Sequence, residues 1–474
     1  MSEPVIRRGT PGDGAPQVPV AIVGAGACGL TAALMLKDAG IDALVIERDA
    51  FPSGSTALSS GFVPAAGTQV QRDRGVKDSV DQFANDIRSK SRNTAASYLV
   101  DAYVRAIGPA VDALGHRHGI GWELLEGFVY PGHSALRMHA VPQRTGAALM
   151  QGLLAAAQAS AVDLLTRSLV RELWVDASGS ITGLGVQRPD GGMEHLRCAA
   201  LLLACNGFGG NAHMVHEWLP QMRGAIFAGH MGNDGSAIAW GRELGARLAD
   251  LGGYQGHGSW AVPQGALISW ALMMEGGVQI NARGERFHDE TTGYSEASVA
   301  VLSQPGGRVW NVIDETLIPL AQTFPDFMQA QAAGACRRAA TVSDLAHIVG
   351  CDSPTLGATL EHVADSVLQG QPDKFGRRFV RALQAPFTAV RVTGALFHTQ
   401  GGLDIDSHCR VLNHEGRPFP NLCAAGGAAR GVSGNDVWGY LSGNGLLSAI
   451  AGGAIAAQTL ADIVKSLAKA QSHD

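Results

Sequence analysis

Gly24, Gly26 and Gly29 stand in G-x-G-x-x-G spacing, and Glu47 follows 18 residues after the last of them. This is the chemistry of a dinucleotide pyrophosphate. Gly24 permits a tight turn, Gly26 lets backbone approach the phosphates, and Gly29 lets a helix close on a strand. Glu47 is placed to accept hydrogen bonds from ribose hydroxyls. Ala27 and Cys28 inside the motif, and Arg48 beside the acid, join these as candidate cofactor contacts. The flanking sequence supplies the elements that must position them. An apolar run at 20–23 predicts a strand, helical spacing of Leu30, Ala33, Leu34 and Leu36 predicts a helix, and a second apolar run closes on Glu47. The amino end of that helix would turn free N–H groups and a positive dipole end toward the pyrophosphate.

The composition suits one large globular enzyme. A chain of 474 residues, 46% hydrophobic and 16% charged, predicts two or three lobes around sizeable cores. A net charge of −6 is mild for this length and points to neither nucleic acid nor an anionic membrane. The seven cysteines form no C-x-x-C pair, which argues against a structural zinc, a dithiol motif or attached haem; no metal is expected. Their scatter suits a reducing cytoplasm. Arg7-Arg8 precedes a polar stretch rather than an export-type apolar core, and no membrane span is expected. Residues 1–17 read as a disordered tail.

After Glu47 comes FPSGSTALSSGFVPAAGT, residues 51–68, crowded with small hydroxyl residues and glycine. Such a loop can lie against phosphates and a flat ring without steric clash. Together, VAIVGAGACGL, VIER and GSTALSSGFVPAAGT resemble the FAD-binding domain of the fumarate reductase and 3-ketosteroid dehydrogenase flavoproteins. The resemblance spans 18–461. It implies an α/β fold: a Rossmann-like, glutathione-reductase-like FAD-binding domain with an inserted α+β substrate cap. The domains would run 18–235 for the first FAD-binding part, 236–385 for the cap and 386–474 for the second part. Ser55, Thr56, Ser59 and Gly61 would line FAD, bound noncovalently because the loop lacks the histidine that some relatives attach to flavin. ALLLACNGFGGN matches the family's strand-to-glycine turn near adenine, through Asn206 and Gly207, and Gly426-Gly427 match backbone beside the flavin ring. In MGNDGSA, Ser236-Ala237 stand where the family has Asp-Gly.

Between these landmarks, 79–119 predicts two helices divided or capped at Gly108-Pro109. Strands are expected near 162–175, 181–187 and 194–197. Trp122, Phe128, Tyr130 and His133 sit in a glycine- and proline-bearing loop, read chiefly as packing. VQINARGERFHDET predicts a hairpin around 281–284. Thr341-x-x-Asp344 and Ser353-Pro354 predict helix starts.

The substrate motifs inform mainly by what they lack. The resemblance makes Glu290 a proton-passing acid and His398 a substrate contact, with Phe397 one register away. The arginine expected within 311–320 is absent, and so is the carboxylate-clamping arginine before the last helix, where the chain has Trp438, Gly439, Tyr440, Leu441, Ser442 and Gly443. That favours the ketone branch. The final helix, predicted to start at 442–446, would aim its amino end at the flavin through Gly445, Leu446 and Leu447. In the implied reaction, α,β-desaturation, Tyr440 with a backbone N–H at Asn444 or Gly445 holds the carbonyl oxygen, and Ser442 belongs to the same segment. A tyrosine removes the α proton: Tyr254 first, then Tyr130 or Tyr294. Alternatives are reduction of an unsaturated acid, a redox-neutral hydratase and a noncatalytic FAD module. A single dinucleotide fingerprint leaves electrons to pass to an external acceptor: a quinone, a redox protein or oxygen.

Overall fold

The computed structural model describes residues 4–127 and 129–471, so Phe128 lies outside the described residues. The chain divides into two compact units. One comprises residues 1–214, 229–254 and 398–474; the other comprises 215–228 and 255–397. Of the boundaries read from sequence, 236 falls within the first unit's segment 229–254 and 385 falls twelve residues short of the second unit's end at 397.

In the first unit the apolar run becomes the strand Gln17–Val23, which pairs in parallel with Ala43–Ile46 on one side and Met193–Leu203 on the other. Nine strands form the sheet, in the order Val5–Arg8, Leu169–Val175, Ile181–Gln187, Met193–Leu203, Gln17–Val23, Ala43–Ile46, Asp163–Leu165. A branch, Pro418–Ala424, joins Met193–Leu203 and continues to Arg410–Leu412. Strands buried on both faces read as continuous apolar runs, as 20–23 and 200–203 do. Residues 5–8, expected within a disordered tail, form the edge strand instead. Pairing with Leu169–Val175 satisfies their backbone groups.

The helices Ala27–Asp38 and Asn444–Gln471 pack against each other over the sheet; a Cβ on Gly453 would come 2.5 Å from the Cys28 carbonyl oxygen. The last helix starts where the sequence predicts. Its residues 444–470 are long and apolar enough to cross a membrane by length and composition alone. Here Leu447, Ile450, Ala451, Leu460 and Ala461 are buried in the core.

Gly108-Pro109 does not divide the expected helices. The break falls at 91–96, and Pro109 sits inside Ser97–His118. A proline forfeits one helical hydrogen bond, but this helix buries Leu99, Val100, Tyr103, Val104, Ile107, Val111 and Leu114, and burial outweighs the local preference.

The second unit is built on a sheet ordered Ala266–Leu267, Tyr254–Ala261, Phe387–Thr399, Arg308–Asp314, Val278–Ile280, with Ile226–Phe227 and Cys336–Ala339 also on the long strand. Both predicted helix starts form: Thr341 and Asp344 close a capping box, and Asp352 caps the helix beginning Ser353-Pro354. The predicted hairpin is only half formed. Val278–Ile280 pairs with Arg308–Asp314, and the residues after the turn leave the sheet because Arg286 turns inward. Arg286 makes two hydrogen bonds to the Glu290 carboxylate and pairs with Asp373. Arg377, from 87 residues away, donates to the same carboxylate at 2.8 Å, and the Gln279 N–H donates at 3.0 Å.

These contacts give Glu290 a structural role that sequence reading did not supply. Burial alone would raise its pKa, but hydrogen bonds and charge from Arg286, then the charges of Arg377 and His288, outweigh it and lower the value to about 2. The carboxylate is a fixed anion that organises two buried cations. Glu290→Gln should therefore destabilise the protein by about 3–5 kcal/mol at neutral pH, the cost of stranding buried charge. Because the folded pKa is depressed, this stability is present above the ordinary value of 4.5 and lost as pH falls through about 2. Urea midpoints of wild type and variant should converge across that window.

Candidate active site

The strand–turn–helix at 20–38 builds one wall of a cavity in the first unit. Gly24, Gly26, Ala27, Cys28, Glu47, Arg48, Ser55, Thr56, Asn206, Gly426 and Gly427 all line it, as expected from sequence. Gly24 has φ +106°, and a Cβ there would lie 2.6 Å from the Ala204 carbonyl oxygen, so only glycine makes this turn. Gly26 shows what the cavity is for. A Cβ on it would meet nothing in the protein nearer than Thr56 Oγ1 at 3.5 Å, yet the residue faces the cavity, so the glycine preserves space for a ligand. Gly26 also caps the helix with no side-chain bond, and the first turn carries no acid. That leaves a helix amino end suited to an anion.

The hydroxyl loop is partly helical, Gly54–Leu58, which brings Ser55 and Thr56 inward. Thr56 Oγ1 accepts the Ala27 N–H at 3.0 Å; Ser55 Oγ accepts from the amides of Asn206 and Asn233 at 2.9 and 3.0 Å. Glu47 accepts the N–H groups of Ala25 and Asp49, both at 2.9 Å, leaving each oxygen a second lone pair. Arg48 donates to the Gly232 carbonyl and to Asp234, which orders the opposite wall. Of that wall, His230, Asn233, Asp234 and Ser236 with Ser168 to Val170, sequence reading matched only the segment MGNDGSA to the family and named none of these as a cofactor contact. In that segment Asp234 accepts from the N–H and Oγ of Ser236. His230 has both ring nitrogens engaged, by Asp49 and the Gly232 N–H, which fits a noncovalent ligand.

Seven predicted cofactor residues lie outside this lining: Gly29, Ser59, Gly61, Gly207, Gly445, Leu446 and Leu447. Gly29 packs helix on strand, since a Cβ there would collide with the Gly24 carbonyl oxygen. Ser59 shapes its own loop, donating to the Thr56 carbonyl and accepting from Gly61 N–H. Gly207 packs against Thr399, and Leu447 is fully buried in the core.

Gly445 belongs to a second arrangement in the same unit, at the amino end of Asn444–Gln471. A Cβ on it would lie 2.9 Å from His398 Cε1 and Nε2 and 3.7 Å from Tyr440 Oη. The two rings meet edge to face with centroids 5.4 Å apart, and the Gly445 and Gly443 N–H groups reach the Tyr440 oxygen. Burial pushes the Tyr440 pKa up, so it is a neutral phenol. Burial lowers His398 to about 4, against a smaller raising effect of the Thr399 carbonyl, so its imidazole is neutral as well. Register separates the two strand candidates. His398 meets Tyr440 while Phe397 points the other way onto His257 and Trp260, centroids 5.8 and 5.9 Å away, because strand neighbours face opposite sides.

The turn before this helix is braced from below. His133 Nε2–H donates to the Ser442 carbonyl at 2.9 Å, and the buried Arg137, held by Asp78 and Asp86, reaches His133 Nδ1. Ser442 thus enters the site through its backbone. Of the tyrosines considered as base, Tyr254 is fully buried. Tyr130 is raised by burial to about 12, the wrong direction for a base. Tyr294, in the second unit, is half-buried and stacked on His257 at 5.1 Å.

The FAD binding domain family matches residues 19–446 of the chain. The Shewanella frigidimarina protein named "Probable fumarate reductase Ifc3" is 28% identical over 446 residues, 93% of this chain and 74% of that protein. The solved open conformation of a flavocytochrome c3 fumarate reductase superposes with TM-score 0.82 at 27% identity, covering 95% of this chain and 79% of that one. A 3-ketosteroid-Δ4-(5α)-dehydrogenase from Rhodococcus jostii RHA1 shares the fold, with TM-score 0.78 at 24% identity and 96% and 99% coverage.

The cavity geometry predicts that Gly26→Val, whose Cβ would come no nearer the protein than 3.5 Å, yields folded protein that purifies with little or no flavin. Absorbance near the flavin bands, read beside circular dichroism, separates lost cofactor from lost fold.

Proposed function

This chain belongs to the FAD binding domain family and is an FAD-dependent oxidoreductase acting on CH–CH or C=C groups; from that premise we propose that it desaturates a ketone beside its carbonyl. The observation that carries the reading is the convergence of Tyr440 Oη, His398 Nε2 and Gly445 at a helix amino end. Residues 431–461 contain no arginine. Two neutral donors and a positive dipole end suit a single carbonyl oxygen that gains enolate charge. A carboxylate would call for a guanidinium clamp.

FAD, held by the turn at 24–29, Glu47, Ser55, Thr56 and Gly426-Gly427, supplies a hydride acceptor when bound. The chain's own residues do the rest. Tyr440 O–H, its oxygen held by the Gly445 and Gly443 N–H groups, donates to the carbonyl oxygen, and that bond tightens as the α proton leaves. A tyrosine base takes that proton, as in the reaction the resemblance implies.

The reverse chemistry, reduction of an activated alkene, has support from the fumarate reductase names of two relatives at 27% and 28% identity. In either direction the substrate is a small molecule and electrons pass through an external partner; a quinone, a redox protein or oxygen fits the single dinucleotide site. Seven unpaired cysteines support a cytoplasmic setting.

Anaerobic mixing with cyclohexanones or steroid ketones should bleach the flavin, whereas unsaturated acids should reoxidise reduced enzyme only under the second reading. Tyr440→Phe should slow ketone-driven bleaching by about 10²–10³-fold, the usual cost of one lost oxyanion donor. An unchanged rate removes Tyr440 from the mechanism.

A further inference from the structure

His398 is oriented by a buried hydrogen-bond chain that runs back to the helix end it faces. Asn444 Nδ2 donates to Ser433 Oγ at 3.0 Å, and Ser433 Oγ donates to Gln400 Oε1 at 2.8 Å. The other end of the same amide, Gln400 Nε2, lies 3.0 Å from His398 Nδ1. Ser433 and Asn444 are fully buried, and Gln400 is 4% exposed. Backbone bonds hold Gln400 on both sides: its N–H donates to the Gly253 carbonyl, and its own carbonyl accepts the Gly431 N–H.

The chain has a direction. With Asn444 as donor, the Ser433 hydroxyl must spend its proton on Gln400 Oε1, which turns the amide N–H toward His398 Nδ1. Nδ1 then accepts, and the single proton of the neutral ring sits on Nε2, the atom packed against Gly445 and Tyr440. The competing contact, His398 Nδ1 to the Thr399 carbonyl, would need the opposite tautomer and is longer at 3.4 Å.

We propose that Gln400, with Ser433 and Asn444 behind it, is a positioning residue that fixes His398 as an Nε2–H donor and so makes it the second side-chain donor, beside Tyr440, to the substrate oxygen. The role rests on the ketone reading, and it goes beyond that reading in assigning a selectivity. A site of two neutral donors whose imidazole cannot shed its tautomer favours an uncharged carbonyl oxygen over a carboxylate.

The test uses the FAD-loaded full chain. Nitrogen-15 spectra of histidine-labelled wild type at neutral pH, with the His398 signal assigned by its loss in His398→Gln, should show a protonated Nε2 and a bare Nδ1. In Gln400→Leu the two tautomers should mix. In Gln400→Glu a carboxylate acceptor should pull a proton onto Nδ1. Ketone-driven flavin bleaching should fall by about 10²-fold in both variants, the scale of one misdirected oxyanion donor, and Gln400→Glu should gain a pH dependence that wild type lacks. A wild-type ring protonated at Nδ1 overturns the proposal, and so do variant spectra and rates matching wild type. If one variant fails to fold, the wild-type spectrum still decides. If no ketone bleaches wild type, the ketone reading falls while the tautomer measurement still judges the chain through Gln400.

Discussion

Two helix amino ends built on glycine are the constraint on which the first unit depends. One end follows Gly26, which supplies no side-chain cap; the other starts at Asn444, between Gly443 and Gly445. Both belong to helices packed on each other so closely that Gly453 can carry no Cβ beside the Cys28 carbonyl. Capping either end with a side chain would satisfy it locally and close it to a ligand. The chain instead spends glycine, at 26, 443 and 445, and props the surrounding loops from outside with Thr56, Glu47 and His133.

Burial then sets the charge state of nearly everything that faces the second of these ends. Tyr440 is raised and His398 lowered for the same reason: a charged form would lose its hydration without gaining a counter-ion. Arg137, which braces the turn, is paired with Asp78 and Asp86. In the second unit Glu290 stays ionised because two guanidinium groups hold it. The contrast explains why one buried acid is a structural anion while a buried imidazole is a neutral donor.

Much of the cofactor site was legible because its logic is local. Gly24, Gly26, Glu47, Ser55 and Thr56 lie within a few dozen residues of one another, and their spacing along strand, turn and helix is already their spacing in space. The opposite wall at 230–236 was harder, since Asn233 and Asp234 matter through contacts with Ser55 and Arg48 that lie far along the chain. The edge strand 5–8 was missed for a related reason: a short polar segment becomes a strand only when a partner is supplied.

Sequence alone determined the dinucleotide fingerprint, the start of the last helix and the absence of an arginine before it, because each is written in contiguous residues with a period or spacing of its own. Tertiary structure alone decided that Pro109 lies inside a helix, that Tyr254 is sealed in the core, that Glu290 is clamped by Arg377 from 87 residues away and that His398 rather than Phe397 meets Tyr440. Burial and pairing are properties of what surrounds a residue, and in a folded chain most of those surroundings come from elsewhere in the sequence.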